Sequence, residues 1–294
     1  MTSRSLALSS LVLALGACTT RGPMELPDTG GFDGGPDAFS GRFDTGPLPD
    51  SGTPLEDTLI YAHSPDTLFS FSAESNEVTE IARFTESDGS NADDMVDLAV
   101  NAEGDVFTSS RDALWSVDVT TGVVTQIGTF DVAEGEQFYA LTFLAPGELR
   151  PAETLIGATN MGVYYEIDAI DASVIRLGSY PDGWLSSGDL VSVEGATYAT
   201  IRHMDDMVDT LAQITFDGTG RSTIRVIGPI RGGGMDFRQI FGLGYWGRSV
   251  YGFSNSGQLI EIDRMTGAGR LATTMTGTDR FWGAGVTTRA PVLL

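Results

Sequence analysis

The sequence predicts an all-β fold: five copies of one four-stranded unit, carried behind a secretory segment and a tether. Three observations predict it. Glycine is abundant, 37 of 294 residues, while charged residues make up only 19%, a balance that suits short strands and tight turns better than long helices. From about Thr58 onward, short runs rich in Val, Ile, Tyr, Phe and Thr alternate with Gly/Asp/Asn/Ser clusters, and no stretch carries apolar residues at helical spacing. The same pattern of strand, Asp/Thr/Gly turn and strand then recurs along the chain at a nearly fixed interval.

The first element is residues 1–17. Arg4 supplies a short positive start, Leu6–Leu15 is apolar, and small residues follow, the layout of a secretory signal peptide. Ten helical residues rise about 15 Å, half the hydrocarbon core, so the segment is too short for a permanent span. It ends Leu15-Gly16-Ala17-Cys18, and Cys18 is the one cysteine in the chain. A single cysteine leaves no intrachain disulfide and no cysteine-based metal site.

That ending resembles the lipobox of bacterial lipoproteins. The resemblance implies cleavage before Cys18, a diacylglycerol on its sulfur and an acyl chain of the palmitate type on the new amino group. Two or more chains, at about 0.8 kcal/mol per buried CH₂, give stable anchoring. An aspartate after the cysteine retains enterobacterial members at the inner membrane. Thr19 therefore points to the outer membrane, on its periplasmic or its outward side.

Residues 18–57 form the second element. Gly, Pro, Asp, Ser and Thr dominate, GGFDGG and GRFDTG are near-copies, and no apolar period exists. Such a segment buries too little apolar surface to offset its ordering entropy and is expected to be an acidic linker. Its aspartates lack the D-x-D-x-D-G spacing of a calcium loop.

Residues 58–294 form the repeat domain. The repeat reads LFSFSAESNEVTEIA, LWSVDVTTGVVTQIG, YYEIDAIDASVIRLG, LAQITFDGTGRSTIRVIG and LIEIDRMTGAGRLAT, and its equivalent apolar positions Phe71, Val117, Ile167, Ile214 and Ile262 lie 46, 50, 47 and 48 residues apart. The domain's 237 residues make close to five such periods. A further strand precedes each copy, and before four of those lies another apolar segment: VDLAV, YALTF, DLVSV and FGLGY. The first unit lacks this segment. The C-terminus supplies the missing one as Phe281-Trp282-Gly283-Ala284-Gly285-Val286, matching Phe241–Tyr245 through its G-x-G pair.

Four strands in each 48 residues, closed by a C-terminal strand, resemble a five-bladed β-propeller, in which radial repetition leaves only short, protected edges. The D-x-x-T-G turns Asp118–Gly122 and Asp263–Gly267 are similar to the hairpins of the quinoprotein-like and YVTN-like repeat class. Gly122 and Gly267 are expected at positive φ, and Asp118 and Asp263 are expected to bond turn N–H groups. Asp66, Asp112 and Asp209, each opening a strand, receive the same turn reading.

The chain carries 17 positive residues, all arginine, against 40 acids, a net charge of −23. That excess repels nucleic acid and anionic headgroups and leaves cations, basic proteins and neutral ligands such as glycans. Motifs for a P-loop, a nucleophile elbow, a Rossmann turn or a His-based metal site are absent, so the sequence names no catalytic residue and calls for no cofactor or metal. His63 ends a strand and reads as half-buried; His203 opens an insert, residues 203–209. Gly232–Gly234 reads as a flexible loop.

Ligand contacts are expected on the loops between units, which carry the differences while the strands carry the sameness. The candidates are Asp93, Asp94, Trp184, His203, Arg231, Asp236, Arg238 and Trp282. Arg231 and Arg238 offer an anion site or simple pairing with Asp205, Asp206 and Asp236. The aromatics near unit boundaries, Phe138, Trp184, Tyr245, Trp246, Phe281 and Trp282, offer a sugar platform or fill the wedge between units. The expectation is a monomeric, membrane-anchored envelope lipoprotein whose repeat domain binds or scaffolds a protein or glycan. The alternative is a glycoside hydrolase or lyase using loop carboxylates at the channel mouth, drawn from Glu86, Asp88, Asp93, Asp94, Asp131, Glu134, Glu136, Asp182, Asp236 and Asp279.

Overall fold

The computed structural model describes residues 60–290 apart from Asp93, residues 218–220 and Met275. Cys18, the linker and Asp93 lie outside the described residues. Among the described residues no helix forms, and the strands build a five-bladed β-propeller.

Blade 1 holds β1 (Ile60–His63), β2 (Thr67–Ser72) and β3 (Glu77–Arg83), and β4 (Thr85–Glu86) leads away from it. Blade 2 holds β5 (Asp97–Val100), β6 (Val106–Ser109), β7 (Ala113–Val117) and β8 (Val123–Thr129). Blade 3 holds β9 (Phe138–Leu144), β10 (Thr154–Thr159), β11 (Val163–Ile167) and β12 (Val174–Ser179). Blade 4 holds β13 (Trp184–Val193), β14 (Ala196–His203), β15 (Thr210–Phe216) and β16 (Ser222–Pro229). A small hairpin of β17 (Arg231–Gly232) and β18 (Met235–Asp236) precedes blade 5, which holds β19 (Ile240–Trp246), β20 (Ser249–Ser254), β21 (Leu259–Asp263) and β22 (Gly269–Thr273). The last strand, β23 (Gly283–Gly285), returns to pair with β1 in the register Tyr61↔Gly285, Ala62↔Ala284 and His63↔Gly283. Blade 1 thus reads β23-β1-β2-β3, and the two ends of the domain close the ring.

Burial falls from axis to rim. Every residue of β5 is buried, whereas β3, β12 and β16 mix half-buried and exposed positions and β8 buries only Val124. A strand near the axis is covered on both faces by neighbouring blades, so it becomes a continuous apolar run and loses alternation. Apolar clusters fill each seam: blades 1 with 2, 2 with 3, 3 with 4, and 4 with 5 and 1. Phe281, fully buried, wedges between blades 5 and 1, its ring 5.2 Å from Phe253 and 5.9 Å from Phe69. Phe138 and Tyr245 are likewise fully buried.

The outer hairpins take the expected turns. Thr120 N–H donates to Asp118 Oδ1 (2.8 Å) and Met265 N–H to Asp263 Oδ1 (2.8 Å), with Gly122 at φ 74° and Gly267 at φ 76°. A side chain on either glycine would also run into the backbone carbonyl of Arg83 or of Gly228, the end of the preceding blade. Asp168 repeats the turn with Ala172 at φ 63°.

Three local readings are corrected. Gly232–Gly234 is a tight turn rather than a flexible loop: Gly233 and Gly234 take φ 59° and 82°, the geometry that joins a two-residue hairpin. His63 is fully buried, because β1 is flanked by β23 and by Phe84, whose ring lies 5.8 Å away. Asp209 is fully buried too, and its Oδ2 accepts from Ile240 N–H of the next blade (2.7 Å) instead of forming a turn. Asp66 and Asp112 keep local roles, accepting from Ser64 Oγ and Ser110 Oγ.

Candidate binding site on the propeller axis

The inner strands of the five blades align residue for residue. Asp97-Leu98, Ala140-Leu141, Asp189-Leu190, Gly242-Leu243 and Gly283-Ala284 are equivalent, and one residue precedes each pair: Val96, Tyr139, Gly188, Phe241 and Trp282. These five residues, one from each blade, line a cavity of about 190 Å³ at the entry end of the inner strands. Arg111, on the β6–β7 loop of the same face, is the sixth lining residue and the one charged side chain there. Tyr139 is 38% exposed, and Phe241 and Trp282 are half-buried, so three aromatic side chains are partly open to a ligand.

The residues just beneath this ring are closed to solvent, and two of them, Asp97 and Asp189, are carboxylates. Asp97 Oδ2 accepts from Leu141 N–H (2.5 Å), and Asp189 accepts from Leu190 N–H and Leu243 N–H (both 2.5 Å). Each aspartate therefore pins its own blade to the next one round the ring. Both are fully buried, and burial drives both carboxyls well above the usual carboxylate range. Asp97 is raised further by the charge of Asp189, so the two carboxyls titrate as a coupled pair.

His63 lies against the same floor. Its Nδ1 is 2.7 Å from Ser64 O, which makes Nδ1 the protonated nitrogen, and Nε2 has no partner among the described residues. Burial lowers its pKa to about 4. A Cβ on Gly283 would collide with both His63 Nε2 and Asp97 Oδ1, so only glycine fits where the closing strand crosses this floor.

The sequence candidates separate in space. Trp282 lines the axial cavity. Asp94 lies in a neighbouring groove that shares Arg111 with that cavity. Trp184 and His203 face one another across β13 and β14, ring centroids 5.4 Å apart, and His203 Nδ1 is 3.7 Å from Asp205. Arg231 and Arg238 both approach Asp236, at 3.4 and 3.9 Å, on the β17–β18 hairpin. Among the described residues no carboxylate lines the axial cavity, and no three His, Cys, Asp or Glu side chains gather as a cation site.

Tyr139, Phe241, Gly188, Val96 and Arg111 were not singled out in the sequence, and neither were Asp97 and Asp189. One signal was there: in the repeat alignment, three of the five units carry an aromatic residue, Tyr139, Phe241 or Trp282, at the position before the equivalent pair. What the alignment lacks is the radius of that position, which follows only from the closed ring.

No family model matches the chain, and no curated protein matches it. Its fold is similar to several solved structures. The glutaminyl cyclase of Myxococcus xanthus is 15% identical with a TM-score of 0.42, over 66% of this chain and 71% of that one. BamB from Moraxella catarrhalis is 17% identical with a TM-score of 0.32, over 74% and 70%. A Bacteroides thetaiotaomicron protein of unknown function is 13% identical with a TM-score of 0.46, over 73% and 57%. These are likenesses of fold alone.

Proposed function

We propose that the chain is a lipid-anchored envelope protein whose propeller is a binding module, with the ligand seated in the axial cavity. One observation carries the reading: five equivalent positions, one from each blade, surround a single concave space and present three aromatic side chains to it. A concave, mainly apolar site with a few polar groups is the usual form of a small-ligand pocket. Its walls start the most buried strands of the fold, so little ordering is needed on binding. The Leu15–Cys18 segment and the acidic linker supply the anchor and the tether in this reading.

The hydrolase alternative draws no support from the axial cavity, because no described carboxylate lines it and the two aspartates beneath it are closed to solvent and tied to backbone N–H groups. The test is a ligand-observed NMR screen of a small-molecule collection against the full chain and its Trp282→Ala variant. Hits that vanish with Trp282→Ala support the site. Hits that survive, or a screen without hits, overturn it.

A further inference from the structure

The chemistry of the cavity lining narrows the ligand. The space of about 190 Å³ exceeds the roughly 150 Å³ of an apolar cavity that holds benzene, so it has room for one ring and a short polar extension. The polar side-chain groups on the lining are the Arg111 guanidinium, the Tyr139 hydroxyl and the Trp282 indole N–H. A sugar would leave most of its hydroxyls unpaired against Val96, Gly188 and Phe241, and each buried unpaired hydroxyl costs affinity. An ammonium ligand would face Arg111.

Arg111 is itself available. Among the described residues it forms no ion pair, whereas eight other arginines do. Of the acids in the groove that shares Arg111, Asp112 accepts from Ser110 Oγ, Glu136 accepts from Tyr165 OH and Thr159 Oγ1, and Asp94 forms no ion pair with it. A guanidinium at the edge of an aromatic-lined cavity matches a planar carboxylate by paired N–H donors.

We infer that the axial cavity takes a small aryl or arylalkyl carboxylate, its ring against Tyr139, Phe241 and Trp282 and its carboxylate on Arg111. The inference rests on the axial cavity being the binding site. The test titrates phenylacetate, phenylacetamide, phenethylamine and galacturonate onto the full chain held in detergent. The readout is the Trp282 indole N–H resonance, assigned with Trp282→Phe.

Phenylacetate is expected to move that resonance to saturation and to bind about tenfold more tightly than the amide. Arg111→Gln is expected to erase the difference while leaving the other resonances in place, since Arg111 is exposed. Equal binding of acid and amide to the unsubstituted chain overturns the carboxylate assignment and leaves the site standing. Tighter binding of phenethylamine or galacturonate does the same. If no probe moves the Trp282 resonance, the site itself is wrong and the inference falls with it.

Discussion

Asp97 and Asp189 occupy equivalent positions on the inner strands of two non-adjacent blades, yet their buried carboxyls are electrostatically coupled, and both are raised well above the usual carboxylate range. Between them they hold blade 2 to blade 3 and blade 4 to blade 5 through Leu141 and Leu243 N–H. The centre of the ring is therefore a hydrogen-bonded plug, directly beneath the residues that line the cavity.

The two aspartates differ in what an amide can replace. Asp97 holds Leu141 N–H through Oδ2, an acceptor that Asp97→Asn can keep, so that change is expected to cost about 1 kcal/mol or less. Asp189 accepts from two backbone N–H groups, one on each oxygen. Asp189→Asn turns an NH₂ onto one of these donors and is expected to cost about 3–5 kcal/mol. Urea unfolding at pH 7 separates the two; equal costs would refute the difference in backbone contacts.

Asp209 and His63 impose opposite pH dependences in overlapping windows. Burial raises Asp209 to about 6, so the native state binds more protons than the unfolded one between pH 4 and 6, and stability falls as pH rises through that window. Burial lowers His63 to about 4, so its contribution is complete above the unfolded value of about 6.5 and is lost as pH falls toward 4. Asp209→Asn should therefore make stability climb more steeply with pH between 4 and 6 than in the parent, and His63→Gln should make it climb less. Denaturation midpoints at pH 4, 5, 6 and 7 check the signs.

Gly283→Ala should destabilise the domain by about 2–4 kcal/mol, because its Cβ meets Asp97, including the Asp97 backbone, and His63 in a closed floor. Gly277→Ala, at φ 75° with open space around it, should cost about 1 kcal/mol from backbone strain alone. Removing residues from Phe281 onward deletes β23 and the Phe281 wedge, and exposes the β1 edge. Loss of cooperative unfolding or aggregation is expected; an unchanged melting temperature would sink the closure argument.

Arg231→Ala/Arg238→Ala should fold normally. Both arginines are exposed and share one half-exposed acid, Asp236, and such surface pairs contribute about 0–1 kcal/mol. Neither lines the axial cavity, so probe binding there should be unchanged. A loss of binding would move the site to the β17–β18 hairpin.

Cys18→Ser should give an unprocessed or freely soluble protein, measured by fractionation and by mass of the N-terminal peptide. Normal processing with membrane retention would refute the anchor.

Blade number, strand order and closure were legible in the sequence because they are local and periodic. A 48-residue interval, the Asp118 and Asp263 turns and the Gly283–Gly285 match to Gly242–Gly244 all repeat at fixed offsets. Hairpin chemistry acts over a few residues, so each copy states its own geometry. The site was not legible, for the opposite reason. Val96, Tyr139, Gly188, Phe241 and Trp282 form no motif, and what unites all five is distance from an axis that exists only once the ring has closed. Asp97 and Asp189 are 92 positions apart, and a sequence with 32 acids from residue 58 onward marks no pair of them. Burial and coupling pick these two out: only in the closed ring do both carboxyls lose water close enough to raise one another's charge cost in the floor beneath the cavity.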